Sequence, residues 1–138
     1  MFKGIFEPGE GRVLGIYLRI LAVLYALGAV VHLGNLLGFG EVPGEVAPRL
    51  WVVLDGVYLL LDAVVAVGLW RRRWWGVALF LVAALSQLVL FLGFGSSLAH
   101  TPEQRELLDQ LVGLHLLTVL VYVVLRGVES LGRVAHSD

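Results

Sequence analysis

The chain has 138 residues, of which 59% are hydrophobic and 15% are charged, with a formal net charge of −1. Soluble domains carry about 25% charged residues, so this composition predicts one polytopic membrane domain over residues 1–138. The ten Lys and Arg residues are too few and too dispersed for a nucleic-acid surface, and no nucleic acid is expected as a partner. The absence of cysteine excludes disulfides, thiolate metal sites and cysteine redox chemistry.

Four apolar stretches predict four spans, at about 12–37, 48–70, 74–94 and 104–126. A helix needs about 20 apolar residues to cross a bilayer. The connections are short, so consecutive spans are expected to run antiparallel. The sequence therefore predicts an all-α fold, an up-down four-helix transmembrane bundle. Thr101 and the Pro that follows it have the residue types of an N-cap and a first helical position, which places the start of the fourth helix there.

Lys and Arg residues are divided unevenly between the two sides of the predicted bundle. The side shared by the N-terminus, the second connection and the C-terminus holds Lys3, Arg12, Arg71, Arg72, Arg73, Arg126 and Arg133. The other side holds Arg49 and Arg105. Because Lys and Arg concentrate on the cytoplasmic side, we expect both termini to be cytoplasmic. The expected location is the cytoplasmic (inner) membrane of a bacterium, as a multi-pass protein.

The second span carries two carboxylates, Asp55 and Asp62. Each costs roughly 2.5–3.5 kcal/mol at the middle of a membrane. They are seven residues apart and therefore share one face of a helix, with Tyr58 between them and Trp51 one turn above. This face is expected to turn away from lipid, toward the other helices.

The other three spans each place one polar residue at the level of Asp55. These are His32, Gln87 and His115, and at about 1.5 Å per residue all four lie roughly 8–11 Å below the external boundary. Inward side chains at one level of a bundle converge. The sequence thus predicts a polar pocket in the outer leaflet. The predicted ligand-binding residues are His32, Asn35, Trp51, Asp55, Tyr58, Gln87, His115 and Thr118.

This cluster has two interpretations. One is an open pocket, with Asp55, His32 and His115 as candidate catalytic groups. The other is a buried hydrogen-bond cluster that sets helix register, in which interhelical polar contacts contribute roughly 0.6–2 kcal/mol each. An ionisable residue inside a membrane is a functional candidate by default, which favours the pocket.

A metal or haem is the minor alternative for the same residues. Two histidines and a carboxylate, His32, His115 and Asp55, are ligand types that suit zinc or non-haem iron. No HxxxH or ExxH spacing supports such a site, and nothing in the spacing sets the two histidines across a haem. No metal is therefore expected, and the cofactor is unknown, with a quinone or a lipid as candidates.

Asp62 lies deeper than the predicted pocket, at a depth similar to that of Arg19 in the first span. One expectation is a buried Arg19–Asp62 ion pair. Arg19 and His32 are 13 residues apart, which separates them by about 140° around the helix. The alternative is therefore that Arg19 faces a flank of the bundle and extends toward the cytoplasmic headgroups.

The segment YLRILAVLYALGAVVHLGNLLGFG of the first span resembles the opening helix of DoxX-like small four-helix membrane proteins. In that group an Arg early in the helix is followed by a Gly and then by a basic residue near the external end. Arg19, Gly28 and His32 stand at those places, although Lys is more usual at the last one. The resemblance implies a membrane-embedded bundle, sometimes linked to quinone systems or to thiol and sulfur redox systems. With no cysteine, a thiol role here would need a partner.

Three functions follow from the sequence. The first is a binding or redox-accessory protein that holds a small lipophilic molecule, such as a quinone or a lipid, in the outer-leaflet pocket. The second is a membrane enzyme on a lipophilic substrate, with Asp55 and a His as acid and base. The third is a structural subunit of a larger membrane complex or transporter. The expected partners are membrane lipid, the small ligand, and a second copy or a membrane-complex subunit.

Overall fold

The computed structural model describes residues 3–40 and 49–134. In these ranges the regular structure is helical, and no strand is present. The helices are α1 (Lys3–Phe6), α2 (Arg12–Leu36), α3 (Arg49–Trp70), α4 (Trp74–Leu98) and α5 (Pro102–Val134). Helices α2 to α5 are each long and apolar enough to cross a membrane. The all-helical fold with four such helices is confirmed.

The helices run on past two of the predicted spans. Helix α4 continues from the predicted end at 94 to Leu98, and α5 continues from 126 to Val134. Gly and Ser after residue 94 are weak helix formers, but Leu98 is buried and holds the last turn of α4 against the bundle. Residue 48, the predicted first residue of the second span, lies outside the described residues.

The start of α5 is closed by a reciprocal cap. The Gln104 N–H donates to Thr101 Oγ1 at 3.2 Å, and Gln104 Oε1 accepts from the backbone N–H groups of His100 and Thr101, at 2.8 and 3.3 Å. These bonds satisfy N–H groups that a helix start otherwise leaves unpaired. Thr101 is thus the N-cap, as the sequence predicts.

The four long helices form a ring in chain order. The contact between α2 and α3 is the largest, those between α3 and α4 and between α4 and α5 are intermediate, and the contact between α2 and α5 is the smallest of the four. We call the end with the N-terminal segment and the α3–α4 turn the proximal end. The opposite end, where α2 ends and α3 begins, is the distal end.

The core occupies the proximal half and the middle of the ring. Phe80 of α4 stands at its centre, edge-on to Tyr25 of α2 at 5.9 Å and to Tyr122 of α5 at 5.8 Å between ring centroids. Leu18 and Leu69 are fully buried beside it. The distal half is less filled, which leaves space between the helices there.

Helices α3 and α4 touch through their backbones next to the turn that joins them. A Cβ atom on Gly76 would lie 2.2 Å from the carbonyl carbon of Gly68, and one on Gly68 would lie 2.5 Å from the Gly76 Cα. No larger residue fits at either position, so small residues allow this close approach. The turn itself contains Arg72 with a φ of 52°, in the left-handed region.

The N-terminal segment is bound across the proximal end. Glu129 Oε1 of α5 accepts from the backbone N–H groups of Glu10 and Gly11, both at 2.7 Å. The Arg126 guanidinium donates to the Gly4 carbonyl, and that of Arg72 donates to the Gly9 carbonyl. These bonds tie the start of the chain to α5 and to the α3–α4 turn.

Candidate functional site

Polar side chains of α2 and α3 meet in the distal half of the bundle. The Asp55 Oδ1 atom lies 2.7 Å from His32 Nδ1 and accepts a hydrogen bond from Asn35 Nδ2 at 3.1 Å. His32 and Asn35 are close to one turn apart on α2 and so reach the same carboxylate. The carboxylate can only accept from His32, so Nδ1 carries the hydrogen when Asp55 is ionised.

The imidazole of His32 lies between two carboxylates. Its Nε2 atom is 3.8 Å from Asp62 Oδ2, within ion-pair distance but beyond a direct hydrogen bond. Its ring stacks on that of Tyr58, with centroids 5.8 Å apart and planes inclined by 25°. Asp55 and Asp62 flank Tyr58 on the same face of α3, as their seven-residue spacing predicts, and both carboxylates therefore face one histidine.

Asp62 is buried and incompletely paired. Its Oδ1 atom has no hydrogen-bond partner among the residues that the structure describes. Gly28 of α2 makes room for its other oxygen, because a Cβ there would lie 2.5 Å from Asp62 Oδ2. Buried polar atoms are nearly always bonded, so an unpaired carboxylate oxygen indicates a place for another hydrogen-bonding group.

A cavity of about 230 Å³ opens beside Asp62. It is bounded by residues from all four long helices, and most of them are apolar. The lining residues are Leu21, Leu24, Tyr25, Gly28, Val31, His32, Asp62, Gln87, Phe91, Leu111, Leu114, His115 and Thr118.

Three of the residues that the sequence predicts at a common level line the cavity, one each from α2, α4 and α5: His32, Gln87 and His115. Thr118 lines it as well. The α3 carboxylate in the cavity is Asp62, one level deeper than the predicted Asp55. Counting residues from the span ends gives the depth of each residue but not the reach of its side chain. It therefore does not predict that the His32 imidazole lies between the two carboxylates of α3.

The remaining predicted residues lie beside the cavity. Asp55 accepts hydrogen bonds from both Asn35 and His32, and Tyr58 stacks on the ring of that histidine. Trp51 is half-buried and is not one of the lining residues. Of the eight predicted residues, four line the cavity, three form the cluster beside it around His32, and Trp51 belongs to neither group.

His115 has a defined hydrogen-bonding state. Its Nδ1 atom lies 2.6 Å from the Leu111 carbonyl oxygen on the same helix. A carbonyl only accepts, so Nδ1 carries the hydrogen, and in the neutral ring Nε2 is left as an acceptor. Phe91 packs edge-on to the ring at 6.3 Å. The Thr118 hydroxyl donates to the His115 carbonyl at 3.0 Å, which leaves its lone pairs free.

Ser86 of α4 supports the cluster, although it is not among the site residues predicted from the sequence. Its hydroxyl donates to the Ala83 carbonyl at 2.9 Å. The Tyr58 hydroxyl, 3.2 Å from Ser86 Oγ, must therefore be the donor in that contact. A hydroxyl residue in the middle of an apolar helix was the available signal, because such residues bond across helices or to their own backbone.

Of the two arrangements expected for Arg19, the ion pair with Asp62 is wrong and the position on a flank of the bundle is the one found. The Arg19 guanidinium lies over the ring of Trp70, with Cζ 5.9 Å from the ring centroid. Asp62 instead faces His32. The helical phase explains the difference, because a face of α2 that presents His32 to α3 turns Arg19 toward the flank.

Metal-ligating side chains do not gather in the parts of the chain that the structure describes. Within 3–40 and 49–134, no three His, Asp or Glu side chains are grouped so that they could hold a metal ion. His115 is separated from His32 by the cavity that both of them line.

Comparison with known proteins gives a family but no function. The profile of DUF6163, described as a family of unknown function, matches residues 12–133 of the chain. No curated protein and no solved structure matches the sequence. Nothing in these comparisons bears on DoxX-like proteins, so the resemblance of the first span to them stays a prediction.

Proposed function

We propose that this chain, which belongs to the DUF6163 family of unknown function, is a multi-pass membrane protein that binds the head group of a small lipophilic molecule in its cavity. The observation that carries the proposal is the buried, unpaired oxygen of Asp62 beside an otherwise mostly apolar space. By the distribution of Lys and Arg, the proximal end and both termini are cytoplasmic. The cavity then lies in the middle and outer part of a bacterial inner membrane.

The size of the cavity suits one ring. A dry cavity of about 150 Å³ in another protein binds benzene, and this one is about 230 Å³. A ring with one or two oxygen substituents therefore fits, whereas a complete lipid does not. A longer apolar tail must leave the cavity.

The polar groups in the wall suit hydroxyl and carbonyl oxygens. Asp62 Oδ1 can accept from a hydroxyl. The Gln87 side chain is buried and forms no hydrogen bond with any described residue, so its amide can donate to a carbonyl. His115 Nε2 adds a further acceptor. A quinone or quinol head group offers both kinds of oxygen on a single ring.

The apolar tail has a way out between α2 and α5. These two helices have the smallest contact in the ring. On this side Val31 of α2 is 60% exposed and Leu114 of α5 is 43% exposed, and both line the cavity. Exposed apolar side chains at the mouth of a cavity favour entry from lipid over entry from water.

The test is binding of decylubiquinone to the purified protein in nanodiscs, by native mass spectrometry and titration calorimetry. We expect one molecule per chain. Gln87→Leu keeps the side-chain size but removes the amide, and should weaken binding about tenfold, the equivalent of one hydrogen bond. Gln110→Leu is the matched control, because Gln110 is exposed, pairs with Glu106 on its own helix and is outside the cavity. Absence of saturable binding, or equal weakening by both substitutions, would refute the proposal.

A structural role is the second candidate, because specific bonds favour it. His32 and Asn35 of α2 bind Asp55 of α3, and Tyr58 of α3 binds Ser86 of α4. Interhelical bonds of this kind set the rotation of each helix about its axis. The enzyme alternative with Asp55 as acid or base has less support, since Asp55 does not line the cavity.

A further inference from the structure

Asp62, His32 and Asp55 lie in a row that leads from the cavity toward the distal end. Asp62 Oδ2 is 3.8 Å from His32 Nε2, and His32 Nδ1 is 2.7 Å from Asp55 Oδ1. The side chain of Asp62 is 5% exposed, and those of His32 and Asp55 are more exposed, at 21% and 13%. Asp55 stands two turns from the start of α3, close to the distal end.

We propose that His32 exchanges a proton between the cavity carboxylate of Asp62 and the distal surface at Asp55. The cavity would then take a ligand that gains or loses a proton when it binds, such as a phenol, a quinol or a lipophilic amine. This statement about the ligand depends on the proposed binding function. The proton path does not depend on it, because it is a property of the protein without ligand.

The geometry favours a second proton in the row. Nδ1 of His32 carries a hydrogen toward Asp55. If Nε2 were bare and Asp62 were ionised, a lone pair would face a negative oxygen at 3.8 Å. A second proton between Nε2 and Asp62 removes this repulsion. In the proposed path it resides on Asp62 beside a neutral imidazole and passes to Nε2 only during transfer, and the total charge of the row is −1 in both arrangements.

Release of the proton from Asp62 is then balanced atom by atom. The Asp62 proton passes to Nε2 and the Nδ1 proton passes to Asp55, so that protonated Asp55 donates to the bare Nδ1 and the total charge of the row stays −1. Asp55 then exchanges its proton with water, and the imidazole has changed tautomer. The reverse steps reload Asp62. A small side-chain rotation or one bridging water closes the 3.8 Å gap.

The surroundings of Asp62 favour this path over another. The other titratable groups that line the cavity are Tyr25 of α2 and His115 of α5, and α4 contributes only the neutral Gln87. The Nδ1 atom of His115 is already bound to the Leu111 carbonyl. Among these groups, His32 is the one that connects Asp62 to a second carboxylate.

Infrared spectroscopy of proteoliposomes transferred to deuterated buffer tests the path without any ligand. A protonated carboxyl band that Asp62→Asn removes identifies Asp62, and the rate of its deuterium shift measures proton exchange. His32→Phe keeps a ring against Tyr58 and should slow this exchange about 100-fold, the lower range for a positioned proton-transfer group. His100→Phe is the matched control, because His100 is exposed and does not line the cavity, and it should leave the rate unchanged.

A second variant covers the case in which His32→Phe does not fold. Asp55→Asn retains an oxygen that accepts from Nδ1 but removes the group that passes the proton to water, and it should slow exchange to a similar extent. Unchanged exchange in the folded variants, or no carboxyl band that depends on Asp62, would overturn the proposal. Binding of decylubiquinone with normal affinity in His32→Phe, together with slowed exchange, would support both the binding function and the path. Loss of binding with fast exchange would refute the path alone.

Discussion

Gly28 provides the sharpest test of the site, because it faces the carboxylate on which both proposals depend. A Cβ atom at this position would lie 2.5 Å from Asp62 Oδ2, below any normal contact distance. Gly28→Ala must therefore push the carboxylate away from α2. The cavity beside Asp62 has space for the displaced carboxylate. Such a shift narrows the space for a ligand and changes the distance to His32.

The magnitude can be worked out by comparison with Gly34, which lies on the same helix and has no atom within 4 Å of its Cβ position. Replacement of Gly by Ala inside a helix gains about 1 kcal/mol, and this gain is common to both positions. Overpacking costs about 1–3 kcal/mol, and it applies only to Gly28. Because the atom in the way is the end of a side chain that can rotate, we expect the lower end of this range, with Gly28→Ala about 1 kcal/mol less stable than Gly34→Ala.

The assay is reversible unfolding of both variants in mixed micelles, followed by circular dichroism as the fraction of denaturing detergent rises. Decylubiquinone binding is measured on the same samples and should be lost in Gly28→Ala only. Equal stability and equal binding in the two variants would show that Asp62 does not occupy the position described, and would refute the reasoning for the site.

Two further predictions concern the packing and the entrance. Gly76→Ala should destabilise the protein by about 3 kcal/mol or more, because its Cβ would meet backbone atoms that cannot rotate away. Gly93→Ala on the same helix should not destabilise it, because the Cβ there has open space around it. Equal stability of the two variants in the same unfolding assay would contradict the close helix crossing. Val31→Cys with Leu114→Cys, joined by a bismaleimide in a chain that has no other cysteine, should slow decylubiquinone binding measured by stopped-flow mixing, whereas each single variant treated alike should bind at the normal rate. Unchanged binding after complete cross-linking would rule out entry between α2 and α5.

The helices were predictable because their signals are local. The apolar length of each stretch required a helix, and Thr101 marked the start of α5 through a cap that involves only its near neighbours. The extension of α4 to Leu98 was not predictable in the same way. It depends on burial of Leu98 against the bundle, which outweighs the weak helix propensity of the preceding Gly and Ser.

The depth of the cavity along the helices was predictable from the sequence, and so were some of the residues that line it. Counting residues from the span ends placed His32, Gln87 and His115 at a common depth, and all three line the cavity. The same counting put Asp62 and Arg19 at a similar depth, but the helical phase between Arg19 and His32 already offered a flank position for Arg19, and the structure has Arg19 over Trp70. Depth is one coordinate of a side chain in a bundle, and rotation about the helix axis is the other.

The sequence by itself determined the four long helices, their chain-order connection and the polar residues that must avoid lipid, because hydropathy and helical period act over a few turns of one segment. Only the tertiary structure decided which polar atoms meet. Gly28 leaves room on α2 for Asp62, which shares the His32 imidazole with Asp55, and residues of all four long helices line the cavity. These features depend on distances between helices, and the distances are determined by side chains far apart in the sequence that pack against one another.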